Sequence, residues 1–147
     1  MALKIPGAAR EQTNFLHVLM DDWGIGDLNA YGNSLTTRVQ TPHMDSLAND
    51  GILFTNGYSA SPVCSPSRTG WMTGRFPAEA GIHAACSAAG KKGGSCGVGG
   101  ADFLDPKNFT TVTAVLQGAG YRTGHFGKWH LGSSSENVSA PDPSAYG

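Results

Sequence analysis

Phe15-Leu16-His17-Val18-Leu19-Met20 runs directly into Asp21-Asp22-Trp23-Gly24. A short, nearly continuous apolar segment of this kind fits a strand buried on both faces of a parallel sheet, with its carboxyl end carrying two aspartates. Further along, Thr41-Pro42 supplies an N-cap and a first-turn proline, Met44, Leu47 and Ala48 share a helical face, and Gly51 suits a left-handed stop. Ile52-Leu53-Phe54-Thr55 reads as a second strand. A second helix is expected to be capped by Cys64 or Ser65, with Pro66 at its first position, Met72 facing inward and Gly74 ending it before Pro77. Val112, Val115, Leu116 and Ala119 predict a third helix, capped by Thr110 or Thr111 and stopped at Gly118 or Gly120, before a third strand from Tyr121 to Gly127. Strands alternating with helices imply βαβ crossovers and an α/β fold, whose ligands gather beyond the carboxyl ends of the strands.

The chain has 147 residues and a formal net charge of −1, so it offers no electrostatic case for nucleic acid or for an anionic membrane. Leu, Ile, Val and Phe make up under a fifth of the residues, near the level below which chains often fail to build a core. The high net charge that disorder also needs is absent. With 21 glycines and only 14% charged residues, the composition describes a turn-rich protein with a thin core. No stretch approaches the ~20 apolar residues of a membrane span, and Met1 to Gly7 lacks the apolar segment of a secretory signal. Residues 82–104, rich in Gly, Ala and Ser, show no periodicity and read as an irregular, insertion-like excursion. Residues 133–147, small and polar with Pro141 and Pro143, read as a loop cut in mid-course.

Three clusters could carry chemistry. The carboxylates of Asp21 and Asp22 repel unless a hard divalent cation or donors neutralise them, though taken alone the doublet also fits a turn cap beside a solvated acid. Cys64-Ser65-Pro66-Ser67-Arg68 places a sulfur, free backbone N–H groups and an arginine at one helix start. That combination favours a tetrahedral oxyanion such as sulfate or phosphate, and the naive reading of Cys64 is a thiolate nucleophile of lowered pKa. The bland alternative is a buried cysteine with a surface arginine. Lys128 and His130 stand two apart at a strand end, so period-two geometry would aim a fixed cation and a proton-transfer group at one face. The segment is not a phosphate-binding P-loop, because Trp129 stands where Ser or Thr is required, and Gly24-Ile25-Gly26 lacks the third glycine of a dinucleotide turn.

The cysteines number three. His83, Cys86 and Cys96 could be zinc ligands, but their spacing fits no familiar finger. Cys86 and Cys96 are expected to pair in an oxidising compartment and to remain free thiols otherwise, leaving Cys64 as the odd one. Asn108-Phe109-Thr110 and Asn137-Val138-Ser139 fit the N-glycosylation triplet.

The combination resembles the sulfatase family. Cys64-Ser65-Pro66-Ser67-Arg68 through Thr73-Gly74-Arg75 is similar to that family's first signature, and Gly120 to His130 to its second. Asn14 through Asp22, Gly26-Asp27-Leu28, Tyr31-Gly32, Thr41-Pro42 and Phe54-Thr55 extend the likeness over residues 14–132, from which 82–104 departs. The resemblance implies an alkaline-phosphatase-like, mostly parallel sheet flanked by helices, represented here by its N-terminal part. Residues 1–13 form an extension, 14–132 belong to the catalytic domain and 133–147 form a polar tail. It also implies that a formylglycine-generating enzyme converts Cys64 to formylglycine. One hydroxyl of the hydrated aldehyde attacks sulfur, the ester alcohol leaves, and the second hydroxyl, once deprotonated, expels sulfate. Asp21, Asp22 and residue 64 would hold calcium, Arg68 would fix the hydrate, and Lys128 and His130 would contact sulfate and hydrate. The expected activity is hydrolysis of aryl or carbohydrate sulfate esters in a secretory or lysosomal setting, with the 147 residues alone inactive. The alternatives are a phosphonate or phosphate monoester hydrolase of the same superfamily, or a noncatalytic truncated protein.

Overall fold

The computed structural model describes residues 13–32, 40–86, 96–97, 101–132 and 140–147. The N-terminal extension up to residue 12, most of the glycine-rich excursion and the triplet at Asn137 lie outside them. The chain divides into two compact units, Met1–Leu53 and Phe54–Gly147.

In the first unit, α1 spans Pro42–Asp50 with the proline at its start, as the sequence predicts. The Thr41 hydroxyl does not cap it. That hydroxyl donates to Asp45 Oδ1 at 3.0 Å and accepts from the Asn29 N–H at 3.2 Å, while the Ala30 N–H donates to Asp45 Oδ1 at 2.9 Å. These bonds fasten the first turn of α1 to the 3-10 turn Asn29–Tyr31. Gly51 ends the helix at φ −117°, outside the left-handed region expected for it. Close approach is what selects glycine there, since a Cβ would stand 2.9 Å from the Leu47 carbonyl oxygen.

No strand ladder forms among the described residues, where one isolated antiparallel bridge joins Phe103 and Gly132. The runs 15–20, 52–55 and 121–127, predicted as strands, have no ladder partner among the described residues. Phe15, Leu16, Ile52 and Phe54 are exposed, and so is Phe126. A buried parallel strand needs neighbours on both edges and cover on both faces, and those neighbours are not among the described residues.

The second unit holds α2, Cys64–Thr73, and α3, Val112–Gly118. Val63 takes the N-cap position of α2, so neither Cys64 nor Ser65 caps it, and Pro66 falls at the third helical residue. Proline is still tolerated there because the first-turn N–H groups have no intrahelical partner. Met72 is buried and Gly74 closes the helix at φ 66°, both as predicted. Thr111 caps α3, its hydroxyl accepting from the Ala114 N–H at 3.3 Å.

Two apolar clusters make the core. Met72, Leu104, Leu131 and Tyr146 form one, with Phe109 and Trp129 packed on it, and Ile82, Cys86 and Cys96 form the other. Tyr146 is 1% exposed, its hydroxyl donates to the Leu104 carbonyl at 2.7 Å, and its own carbonyl accepts from the hydroxyls of Thr111 and Thr113. The polar segment read as a free loop thus carries a buried anchor in the 3-10 turn Pro143–Tyr146. Trp129 stacks edge-on against Tyr146, with ring centroids 5.0 Å apart, so this anchor braces the segment between Lys128 and His130.

Burial, reinforced by the negative charge of Asp105, pushes the Tyr146 phenol up to about 12. The fold favours the neutral phenol. Its contribution is therefore complete below the ordinary tyrosine value near 10 and is lost as pH rises towards 12. Phenolate absorbance should show one late tyrosine, absent in Tyr146→Phe, and that variant should lose about 1–3 kcal/mol because the Leu104 carbonyl is left unpaired. A Tyr146→Phe titration with the late phase intact would contradict this placement. The exposed apolar runs should also make the 147-residue chain bind an apolar fluorescent dye and melt with a van't Hoff enthalpy below the calorimetric one. A two-state melt without dye binding would count against that expectation.

Candidate functional site

At the start of α2 the first four backbone N–H groups lack intrahelical partners, and the helix dipole adds partial positive charge there. Cys64 opens this helix as a free, half-buried thiol. Arg68 lies one turn on, 8% exposed, and its Nη1 donates to the Lys128 main-chain carbonyl at 2.6 Å. Taking a guanidinium out of water is costly unless its N–H groups are bonded, so this contact fixes where the buried charge sits. It also joins the two motifs across 60 residues of sequence. Lys128 itself is exposed and serves this bond through its backbone.

His130 is half-buried, and its Nε2 lies 2.7 Å from the Cys86 carbonyl oxygen. A carbonyl can only accept, so Nε2 carries the proton in this contact. Nδ1 is buried and has no hydrogen-bond partner among the described residues. The backbone N–H of the same Cys86 donates to Ser65 Oγ at 2.9 Å, and Ser65 is fully buried. Cys86 is bonded to Cys96 through a disulfide. One residue therefore bridges the cysteine motif and the histidine of the second motif through its backbone. The pairing consumes both sulfurs, which overturns the zinc reading of His83, Cys86 and Cys96.

The segment carrying Lys128 and His130 forms no ladder among the described residues, and His130 adopts φ 56° in the left-handed region, which interrupts the extended backbone there. Asp22, in the first unit, does the same at φ 55°. Such conformations cost a bulky or charged residue free energy and concentrate at functional positions. Asp21 and Asp22 offer hard oxygen donors of the kind calcium takes, but two carboxylates supply at most four of the six to eight oxygens it needs. Among the described residues, no group of three or more His, Cys, Asp or Glu side chains gathers to complete a metal site.

Sequence reading assigned Ser65 to a cap and Cys86 to the excursion. Their shared role in holding His130 depends on contacts 21 and 44 residues apart, which no local pattern signals.

The Sulfatase family profile matches residues 13–142. Mouse steryl-sulfatase is 41% identical over 128 residues, a match covering 87% of this chain and 19% of that protein. Human arylsulfatase H is 42% identical over 121 residues, covering 82% and 20%. An N-acetylgalactosamine-6-O-sulfatase of Bacteroides thetaiotaomicron is 36% identical over 126 residues, covering 86% and 22%. The chain thus spans about a fifth of the length of these relatives.

If Arg68 anchors the second motif, Arg68→Ala should free the Lys128 carbonyl and raise the rate of tryptic cleavage after Lys128 by about ten- to a hundredfold, the effect of losing one charge-assisted bond on local opening. Mass mapping of the first-formed fragments reads the site directly. An unchanged rate after Lys128 would mean that the bond holds nothing in place.

Proposed function

The chain belongs to the sulfatase family, and on that premise we propose that the protein in which these residues work hydrolyses aryl or carbohydrate sulfate esters. The observation that carries the reading is the Arg68–Lys128 bond, which couples the cysteine-bearing helix to the Lys-His segment.

In this reading Cys64 is the position that a formylglycine-generating enzyme converts, and its free, half-buried state at a helix start supports that choice. Formylglycine would supply a hydrated aldehyde as nucleophile, and calcium would supply positive charge against the charge that builds on the sulfate oxygens. Asp21 and Asp22, with residue 64, are the residues to hold that ion. Arg68 would fix the hydrate through its planar fork, and the Lys128 carbonyl restrains that fork from one side. Lys128 adds an exposed cation for a sulfate oxygen. His130, whose Nε2 is engaged as a donor, is the residue to contact the sulfate and the hydrate. The Cys86–Cys96 disulfide supports residence in an oxidising, secretory or lysosomal compartment. We further propose that the 147 residues alone turn nothing over, since two carboxylates supply at most four of the oxygens that calcium takes.

Steady-state kinetics on calcium-saturated, formylglycine-bearing enzyme, made from the full coding sequence that contains these residues, tests the reading. Sulfate esters should be turned over faster than matched phosphate or phosphonate esters. Cys64→Ala should abolish turnover, and Lys128→Ala and His130→Ala should lower kcat by about 10²–10⁴-fold with smaller changes in KM. Faster phosphate hydrolysis would reassign the substrate class, and unchanged kcat in both variants would remove the second motif from the chemistry.

A further inference from the structure

Cys86 takes no part in the reaction proposed above, yet its two backbone polar groups are the meeting point of the two motifs. The N–H is held by Ser65 Oγ at 2.9 Å and the C=O by His130 Nε2 at 2.7 Å. Cys86 and Cys96 are 3% and 0% exposed, and Ser65 is 0% exposed, so little room remains for the Cys86 backbone to turn. Cys96 is fixed in its own right, because its carbonyl accepts the N–H groups of His83 and Ala84 at 2.9 and 2.7 Å and its N–H donates to the Ala101 carbonyl at 2.8 Å. The disulfide transmits that anchorage to Cys86.

Resting on the functional reading above, we propose that Cys86 is a positioning residue: the Cys86–Cys96 disulfide and Ser65 together clamp its backbone so that His130 is held with Nε2 donating and Nδ1 buried. The device makes the set of a reactive imidazole depend on a disulfide. Opening the bond leaves Ser65 as the remaining restraint among the described residues, the Cys86 carbonyl can turn away, and the imidazole is released. Both ring nitrogens are closed while the clamp holds, Nε2 by donating its proton and Nδ1 by burial.

Diethyl pyrocarbonate acylates an unprotonated, accessible imidazole nitrogen, so it reads this state without any need for sulfatase turnover. With the disulfide intact, His130 in the 147-residue chain should react about tenfold or more slowly than exposed His43, which serves as the internal reference. Reduction with a phosphine, or the double variant Cys86→Ser/Cys96→Ser, should bring His130 close to the His43 rate, and reoxidation of the reduced chain should restore protection. Ser65→Ala should give a partial rise with the disulfide intact. Hydrogen exchange of the α2 amides should stay unchanged throughout. A His130 rate indifferent to confirmed reduction overturns the proposal. So does a rise that comes only with collapse of α2 protection, since that would make the disulfide a general support. Because the readout is chemical reactivity, it fails or succeeds separately from the proposed hydrolysis.

Discussion

A guanidinium buried to 8% exposure must keep its hydrogen bonds, and for Arg68 this obligation is discharged partly by the backbone of Lys128, 60 residues away. An unpaired buried cation costs several kcal/mol, far more than a typical surface contact contributes. The segment after α3 is therefore not free to drift from α2. The surface pair Arg75–Glu79, at 3.6 Å and well exposed, shows the contrast, since such pairs contribute about 0–1 kcal/mol. What organises the second unit is one buried charge with a backbone partner.

Two further restraints act on the same segment from other directions. Trp129 is stacked on Tyr146, whose hydroxyl and carbonyl are both bonded inside the larger apolar cluster. His130 is bonded to Cys86, which the disulfide and Ser65 hold. Lys128, Trp129 and His130 are thus each tied down through a different kind of interaction, and the left-handed backbone of His130 is sustained by these neighbours. The apolar core is small, so polar and covalent restraints carry an unusual share of the local order.

The helices were legible in the sequence because their signals are local. Pro42 opens α1, Gly74 closes α2 in the left-handed region and Thr111 caps α3, all within one turn of the residues they serve. A ladder is instead a relation between segments, and the apolar runs 15–20, 52–55 and 121–127 meet no ladder partner among the described residues. Gly51 was read by the right residue type for the wrong reason, close approach having replaced positive φ. Tyr146 was hidden by the small polar residues around it, and the bridge from Ser65 through Cys86 to His130 spans distances that no periodicity encodes. The candidate site was legible as residue types in two motifs. Its joinery, Arg68 to a backbone carbonyl and His130 to another, was not.

The central claim is that Cys64, free at the start of α2 and one turn from Arg68, is the residue prepared for conversion to formylglycine. Peptide mass spectrometry of the chain, produced together with an active formylglycine-generating enzyme, tests this most directly. The account predicts an aldehyde at position 64, trappable by a hydrazine, with Cys86 and Cys96 still joined. An unmodified Cys64 thiol, or a Cys64 disulfide to either of the other cysteines, would contradict it.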